Sequence, residues 1–492
     1  MNNESNRDMK FADDRKKVLG AWLGKAVGGT LGQPWEGSRG PLTLSFYDPV
    51  PTKMMPNDDL DLQVVWACRL ATDWNGIVSL ANFSDAWLNN IDFPCDEYGI
   101  VIRNLKLGIP APYTGRYGNW FTDGLGGAIR AELWAVLSPG LPERAARLAG
   151  MDASLDHYGN GIYAEQFLAA LESCAFIESD LRKLIAEGLS QIPEESRLYQ
   201  AVSDTVSWCG ENKDFQEIRH LIMTHYGSPN FTDVKMNLAF VTAALLLGNG
   251  NFEQSICHAV NFGQDADCTG ATVGAILGII DPDSIPERWL APIGRNLVIN
   301  DGISGINAPS TLDEFTDLAI SLREKLRIED VNVKEPDFAE FRIPFRRSVF
   351  RPWFTSDFRK FTPSMIPDSE RIMVPGNLFT VDFTTLQSES LLMLETEFEL
   401  DSDCFIRILV NTPANMRVWV DGTFCFGRES GTMIPAFHRA PLNQLTELHM
   451  CHGSHKLLIG LAPADEAMKQ AEVLFGIADE NNQWLPDVFY KR

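Results

Sequence analysis

Cysteines are few in this sequence, and their spacing fits neither a disulfide framework nor a zinc site of paired cysteines. The 492 residues contain nine cysteines, an odd number, and no C-x-x-C pair. This pattern excludes a disulfide-stapled scaffold and a zinc site built on paired cysteines. Scattered thiols are typical of a protein in a reducing compartment, so we expect a cytoplasmic location.

Long apolar runs and excess positive charge are also absent. The longest apolar runs, at 238–248 and 271–280, are too short to cross a bilayer, and the polar N-terminus has no signal-peptide core. A formal net charge of −24 argues against a general binder of nucleic acid or anionic membranes. We therefore expect a soluble protein with neither nucleic acid nor membrane as a partner. The oligomeric state is not indicated.

Glycine is regularly spaced in two stretches. It recurs every four residues in GAWLGKAVGGTLG (20–32) and again in GATVGAILG (270–278). Each glycine inside a helix costs about 1 kcal/mol relative to alanine, so a stripe of them is best explained by a second backbone in close contact. We predict two central helices that pack against each other, the first over about 15–31.

Aspartates cluster at the start of two apolar helical stretches. Asp58 and Asp59 precede one, and Asp265 and Asp267 open the glycine-rich run. Taken singly, each cluster is explained as helix caps and partners of the helix dipole. Two dense clusters together favour a site for a hard cation, because such ions take oxygen ligands.

Three motifs, in this order, resemble the ADP-ribosylglycohydrolase family, which includes dinitrogenase-reductase-activating glycohydrolases and ADP-ribosyl-acceptor hydrolases. They are GKAVGGTLG, Asn57-Asp58-Asp59 and GQDADCTGATVGAILG, and the resemblance covers about residues 14–290. It implies an all-α fold that hydrolyses a glycosidic bond. Two positions depart from the family pattern: Asn57 replaces a threonine, and Cys268 stands where the family has a ligating threonine.

The acidic clusters and the resemblance together predict a metal site. Its expected ligands are Asn57, Asp58, Asp59, Asp265, Asp267 and Thr269. Thr269 is included because it lies one position after Cys268, which is a poor ligand for Mg²⁺. An all-oxygen set suits two Mg²⁺ ions, or Mn²⁺ in their place. Asp58 and Asp59 are also catalytic candidates, since a carboxylate not fully engaged by metal can act as general base.

A third catalytic candidate is Glu36, in the loop QPWEG. In the family, a glutamate at this place reaches into the site and gates the substrate. The alternative is a solvated loop glutamate. Gly126 and Gly127 are candidate substrate-binding residues, because they precede a predicted helix whose free N–H groups can hold a phosphate or a ribose. A plain tight turn explains the two glycines equally well.

Three further substrate-binding candidates cluster just before an amphipathic helix: His157, Asn160 and Tyr163. The matching segment lines the cleft in the family, as the resemblance implies. A single histidine at such a position is more often a capping or packing residue than a catalytic one, so His157 is assigned a supporting role.

The composition of the chain changes after about residue 330. Helical spacing of apolar residues continues to 326, and strand-like alternation begins after a proline- and aromatic-rich stretch. We predict an all-α hydrolase domain over 1–330, a connector over 331–345, and a β-sandwich of jelly-roll type over 346–492. Sugar binding is one candidate role for the β domain, which lacks a second aspartate cluster.

The main functional hypothesis is a metal-dependent hydrolase that cleaves an N- or O-glycosidic bond of an ADP-ribosyl or related ribosyl substrate, either small or protein-linked. A second hypothesis keeps the hydrolase but changes the substrate to a sugar other than ADP-ribose. A third, from another class, is a catalytically silent binding protein of the same fold. Retention of aspartates in both motifs argues against the third hypothesis.

Overall fold

The computed structural model describes residues 2–211, 213–330, 332–350, 369–386 and 390–490, with side chains from residue 13 onward. The chain divides into two compact units. The first comprises residues 1–92 and 122–332, and the second comprises 93–121 and 333–492. Residues 351–368, 387–389 and 491–492 of the predicted β domain, and residue 331 of the predicted connector, lie outside the described residues.

The first unit is helical, as predicted. Its helices are α1 (Asn2–Gly32), α2 (Asp58–Ala71), α3 (Leu80–Asn89), α5 (Ala131–Leu137), α6 (Pro142–Ala153), α7 (Asn160–Ala175), α8 (Leu181–Ser190), α9 (Arg197–Gly210), α10 (Phe215–Tyr226), α11 (Val234–Gly248), α12 (Phe252–Asn261), α13 (Ala266–Ile280), α14 (Glu287–Leu290) and α15 (Leu312–Leu322); α4 belongs to the second unit. Two short strands, β1 (Ile77–Val78) and β2 (Arg327–Ile328), pair in parallel. None of the described helices is long and apolar enough to span a bilayer.

The two glycine stripes meet where α1 packs on α13, which confirms the predicted contact. A Cβ atom added to Gly24 would lie 2.0 Å from the carbonyl oxygen of Gly274, and one added to Gly28 would lie 1.9 Å from that of Gly270. Real Cβ atoms do not approach so closely, so only glycine fits here. Residues 266–279 of α13 are all buried. This helix pair is the rigid centre on which the site is built.

The second unit is a β-sandwich with one helix, α4 (Asp96–Lys106). Its strands are β3 (Ile343–Phe350), β4 (Glu370–Val374), β5 (Leu378–Asp382), β6 (Leu391–Leu400), β7 (Cys404–Asn411), β8 (Asn415–Val420), β9 (Thr423–Arg428), β10 (Leu445–Met450), β11 (Gly453–Ala462) and β12 (Gln470–Asp479). The strand orders are β10-β7-β12-β5 and β4-β3-β6-β11-β8-β9, and neighbouring strands in both sheets are antiparallel.

Strands β5 to β12 have jelly-roll topology. Successive strands cross between the two sheets, except at the β8–β9 hairpin, and this order confirms the predicted fold type. Asp421 and Gly422 form that hairpin turn with φ of 47° and 79°, as their sequence predicts. Side chains of both sheets, such as Phe345 and Phe475, share one hydrophobic core. Trp419 and Phe426 are buried, as is usual for alternating aromatic residues in a strand.

The units differ from the predicted sequential division in one respect, because residues 93–121 belong with the β-sandwich. Ile100 and Phe121 join a hydrophobic cluster with Leu474 and Trp484. The buried Arg103 guanidinium lies 4.9 Å from the ring centroid of Trp484. The helical pattern of α4 gives no sign of this, since it depends on side chains more than 300 positions away. The predicted connector also differs, since β3 begins inside it at Ile343.

Candidate functional site

The first turns of α2 and α13 bring three ligand-type side chains together. Oxygen atoms of Asp59 and Asp267 and the sulfur of Cys268 all lie within 4.8 Å of one another. All three residues are buried, with exposed fractions of 1%, 4% and 8%. The close packing of α1 on α13 holds the start of α13 in place. The sequence predicted the meeting of the two aspartate motifs, but it assigned no role to the cysteine.

Asn57 fixes the start of α2. Its side-chain oxygen accepts a hydrogen bond from the backbone N–H of Asp59 at 2.8 Å, which makes it the N-cap. Its amide nitrogen fills the space beside Gly29, where an added Cβ would lie only 2.4 Å away. The oxygen that was predicted to bind metal is therefore used as a cap, and it remains next to the carboxylates.

The arrangement of the carboxylates fits a cation. Neither side-chain oxygen of Asp59, nor Oδ1 of Asp267, has a hydrogen-bond partner of normal geometry in the described part of the chain. Buried carboxylates without partners are strongly disfavoured in the ionised form. A divalent cation would supply the missing counter-charge, and oxygen is the ligand that hard cations prefer.

Burial and mutual repulsion raise the pKa values of this cluster. For Asp58, burial first and then Asp59, Asp61 and Glu36 raise the pKa to about 8. The pKa values of Asp265 and Asp267 are raised well above the ordinary value, chiefly by burial and then by neighbouring acids. Without a cation, these groups therefore hold protons at a pH where exposed aspartates are ionised.

Glu36 lies close enough to act on this cluster. It follows the 3₁₀ turn Gln33–Trp35, and its side chain is exposed. Its charge contributes to the raised pKa of Asp58 and of Asp265. The charge of Glu36 thus acts on the acidic site, and the gating role stays a prediction.

The structure does not support Thr269 as a ligand. Its side chain is completely buried, and the hydroxyl donates to the backbone carbonyl oxygens of Ala266 at 3.2 Å and Ala259 at 3.4 Å. The physical reason is helical geometry, because each residue turns about 100° from the one before it. In α13 the position that faces the carboxylates is Cys268, and the next residue points toward α12.

A buried ion pair lies behind the cluster, and the sequence analysis missed it. Lys25 donates to Glu132 at 2.7 Å, and both side chains are almost fully buried. Gln63 donates to the other Glu132 oxygen at 2.9 Å. The charge of Lys25 also acts on Asp59 and Glu172. A lysine within the apolar, glycine-rich stretch GAWLGKAVGG of α1 was the signal that could have found it, since lysine is almost never buried unpaired.

His157 belongs to a second buried network, which corrects its predicted contact with substrate. Its ring pairs with Asp156 at 2.9 Å, and no part of the side chain is exposed. Arg130 joins the network through Asp156 at 2.8 Å and Asp152 at 3.0 Å. His157 therefore has a packing and ion-pairing role in the helical unit, and its side chain is not exposed to a substrate.

The two glycines also differ from their predicted role. The N–H of Gly127 donates to Nε2 of His157 at 3.4 Å, and the carbonyl of Gly126 accepts from Arg130 at 2.9 Å. The helix that follows is a 3₁₀ turn and then only the seven residues of α5. The N–H of Gly127 is therefore not bare, which favours the tight-turn alternative, and contact of the two glycines with substrate stays a prediction.

Asn160 and Tyr163 lie at the start of α7. The amide of Asn160 contacts Asp123 at 3.3 Å and accepts from the backbone N–H of Leu198 at 3.1 Å. These bonds tie α7 to α9 and to the loop before Gly124. Tyr163 is half-buried. Contact of either residue with substrate stays a prediction.

Comparison with known proteins gives a family match. The family described as ADP-ribosylglycohydrolase matches residues 11–325. A solved structure described as an ADP-ribosylglycohydrolase-related protein complex is similar with 21% identity and a TM-score of 0.45, over 64% of this chain and 100% of that chain. No curated protein matches the sequence.

Two sugar-acting enzymes are more weakly similar. A β-glucosidase from Kluyveromyces marxianus in complex with glucose has 7% identity and a TM-score of 0.20, over 28% of this chain and 16% of that chain. A GH31 α-xylosidase from Xanthomonas citri has 12% identity and a TM-score of 0.17, over 30% and 15% respectively. The family match covers well over half of the sequence and includes both aspartate motifs. The chain therefore belongs to the ADP-ribosylglycohydrolase family.

Proposed function

We propose that this chain is a metal-dependent hydrolase that cleaves an N- or O-glycosidic bond of an ADP-ribosyl or related ribosyl substrate, free or attached to a protein. One observation carries the proposal: the buried cluster of Asp59 and Asp267 has unpaired carboxylate oxygens at the meeting point of the two family motifs. A purely structural cluster would be expected to have its buried oxygens paired.

Two Mg²⁺ ions, or Mn²⁺ in their place, are the proposed cofactors. Their proposed ligands are carboxylates from the two helix starts: Asp58, Asp59, Asp265 and Asp267. When bound, such cations orient sugar hydroxyl groups and lower the pKa of water. Asn57 acts as the cap that sets the direction of α2, and Thr269 is not part of the set.

We assign the remaining catalytic roles to side chains of the protein. Hydrolysis of a ribosyl bond develops positive charge on the sugar, and an array of carboxylates stabilises that charge. Asp58 is half-buried at the edge of the cluster, which suits a general base that takes a proton from the attacking water. Glu36, exposed in the loop after α1, is proposed to contact the substrate, and the influence of its charge on Asp58 and Asp265 supports this role.

A substrate panel tests this proposal. Purified protein with Mg²⁺ or Mn²⁺ is incubated with ADP-ribosylated peptides, O-acetylated and free ADP-ribose derivatives, and simple glycosides, and the products are identified by mass spectrometry. We expect release of ADP-ribose that is abolished by EDTA and by Asp58→Asn. Asp283→Asn is the matched control, because that exposed aspartate pairs with Lys16 on the surface.

The same panel separates the alternatives. Cleavage of simple glycosides but not ADP-ribosyl compounds supports a sugar hydrolase, which the appended β-sandwich favours. Binding of ADP-ribose by calorimetry without any turnover identifies a silent binding protein. Turnover that is unchanged by EDTA and by Asp58→Asn contradicts the proposed mechanism.

A further inference from the structure

We propose that the sulfur of Cys268 is itself a metal ligand, and that the position it shares with Asp59 and Asp267 selects thiophilic divalent cations such as Zn²⁺ or Co²⁺ over Mg²⁺. This inference rests on the proposed metal dependence and changes the ion at one of the two proposed positions, the one that includes Cys268, from Mg²⁺ or Mn²⁺ to a thiophilic cation. It also predicts that the replacement of the family threonine by Cys268 changes the metal preference of this chain.

The distances allow one ion to contact all three side chains. The sulfur and one oxygen from each aspartate lie within 4.8 Å of one another. An ion at about 2.3 Å from sulfur and about 2.0–2.2 Å from a carboxylate oxygen joins atoms that are up to about 4.5 Å apart. Only small side-chain rotations are needed to close the set around a cation.

A second observation points to a ligand at this place. Asp59 has an exposed fraction of 1%, and neither of its oxygens has a partner of normal geometry among the described residues. One of these oxygens lies within 4.8 Å of the Cys268 sulfur. An unpaired buried carboxylate next to a thiol and a second carboxylate is the arrangement that a cation would complete.

The alternative is that Cys268 is an inert core cysteine, and Cys68 provides an example of such a residue for comparison. Cys68 is also buried in the helical unit, but its sulfur is directed to the carbonyl oxygen of Asn307 at 3.6 Å. The sulfur of Cys268 instead lies within 4.8 Å of a carboxylate oxygen of Asp59 and one of Asp267.

Ligand chemistry then sets the metal preference. Mg²⁺ requires hard oxygen ligands and near-octahedral geometry, so a sulfur at one vertex disfavours it. Thiolate raises the affinity for Zn²⁺ and Co²⁺, which accept mixed oxygen and sulfur sets. The hydroxyl of Thr269 does not compensate, because it is bonded within α13 and to α12.

Cobalt titration tests the inference, because thiolate bound to Co²⁺ gives a charge-transfer band in the near ultraviolet that oxygen ligands do not give. Metal-free full-length protein is titrated with Co²⁺, and Zn²⁺ and Mg²⁺ affinities are measured by calorimetry. The variants are Cys268→Thr and, as the matched buried control, Cys68→Ser. Circular dichroism confirms that each variant is folded.

We expect the band in the wild type and in Cys68→Ser, and its loss in Cys268→Thr while Co²⁺ still binds. The ratio of Zn²⁺ to Mg²⁺ affinity should fall by about tenfold or more in Cys268→Thr. Co²⁺ binding to the wild type without the band, or a band that persists in Cys268→Thr, overturns the inference and leaves the proposed metal dependence intact. Absence of binding by any of the three cations overturns both.

Discussion

At the scale of single residues, the raised pKa values of the acidic site have a direct consequence for stability. The pKa of Asp58 moves from an ordinary 3.8 to about 8, through burial and then the neighbouring acids. The folded protein therefore holds a proton that the unfolded chain releases, and this contribution to stability is lost as the pH rises from about 4 through 8.

We therefore predict that the metal-free protein loses thermal stability between pH 5 and pH 8, and that added Mg²⁺ or Mn²⁺ raises the Tm more at pH 8 than at pH 5. The reason is that a cation replaces the protons on the carboxylates. Differential scanning fluorimetry measures the dependence of the Tm on pH, once in EDTA and once with added metal. An Asp58→Asn variant should show a shallower loss in EDTA, and an unchanged slope would contradict the assignment.

The cluster residues should also control metal binding individually. We predict that Asp267→Asn removes the Mg²⁺- or Mn²⁺-dependent rise in Tm, because an amide cannot replace an ionised carboxylate at a buried cation site. The Tm without metal should stay the same or rise, since one source of repulsion is gone. The exposed Asp283→Asn serves as control. A normal metal response in Asp267→Asn would exclude this aspartate as a ligand.

The buried ion pair behind the cluster gives another residue-scale prediction. Lys25→Met leaves Glu132 buried without its cation, which should cost about 3–5 kcal/mol of unfolding free energy. Lys16→Met, which breaks an exposed pair with Asp283, should cost less than about 1 kcal/mol. Urea denaturation at pH 7 measures both.

The double variant with Glu132→Gln checks the cause of the loss. If the unpaired charge is responsible, Lys25→Met combined with Glu132→Gln should be more stable than Lys25→Met alone. Additive losses would instead indicate that Lys25 acts through packing of its aliphatic stem.

At the scale of elements, the contact of α1 with α13 is the feature on which the site depends. The glycines of the two helices approach until a carbonyl oxygen of one occupies the place of a Cβ on the other. Even small displacement of α13 would carry Asp267 and Cys268 away from Asp59. Stability and metal binding should therefore fail together when this contact is opened.

We predict that Gly274→Leu destabilises the protein by at least about 1–3 kcal/mol through overpacking and also abolishes the metal-dependent shift in Tm. Gly274→Ala should already be harmful, because its Cβ would lie 2.1 Å from the carbonyl oxygen of Gly24. Gly210→Ala is the control, since a Cβ atom added there would lie 4.0 Å from the guanidinium of Arg182. An unchanged Tm in Gly274→Leu would show that the helices do not meet as described.

At the scale of the whole molecule, the second unit is assembled from two separate parts of the chain. Ile100 and Phe121, from the first part, share a core with Leu474 and Trp484 from the second. The acidic site lies wholly in the first unit. A cut after the helical part of the sequence would therefore not separate the acidic site from the β-sandwich cleanly, because residues 93–121 would be left without the rest of their unit.

We predict that a chain truncated after Asn332 exposes apolar surface and aggregates, because residues 93–121 lose the core to which they belong. Any folded, monomeric fraction should still show the metal-dependent rise in Tm. Size-exclusion chromatography measures aggregation, and binding of a hydrophobic dye measures exposed apolar surface. Scanning fluorimetry with Mg²⁺ then measures the Tm of the monomeric fraction. A truncated chain that is monomeric and binds no hydrophobic dye would contradict the role given to the 93–121 segment.

Local patterns in the sequence determined much of this protein. The four-residue glycine repeats predicted the contact of α1 with α13, and the aspartate-rich motifs at 57–59 and 265–267 predicted one acidic site. Asp421-Gly422 predicted a hairpin, and the change in composition predicted a helical unit followed by a β-sandwich. These features are local because periodicity, turn conformation and backbone approach depend on residues that are neighbours in the chain.

Tertiary structure alone decided which side chains meet across long separations. Cys268 and not Thr269 faces the carboxylates, because the rotation of α13 is set by its packing on α1 and α12. His157 turned inward because Asp156 and Arg130 form a buried network around it. Residues 93–121 joined the β-sandwich through contacts with distant strands. Burial and charge pairing of this kind depend on the arrangement of several elements in space, which no local pattern specifies.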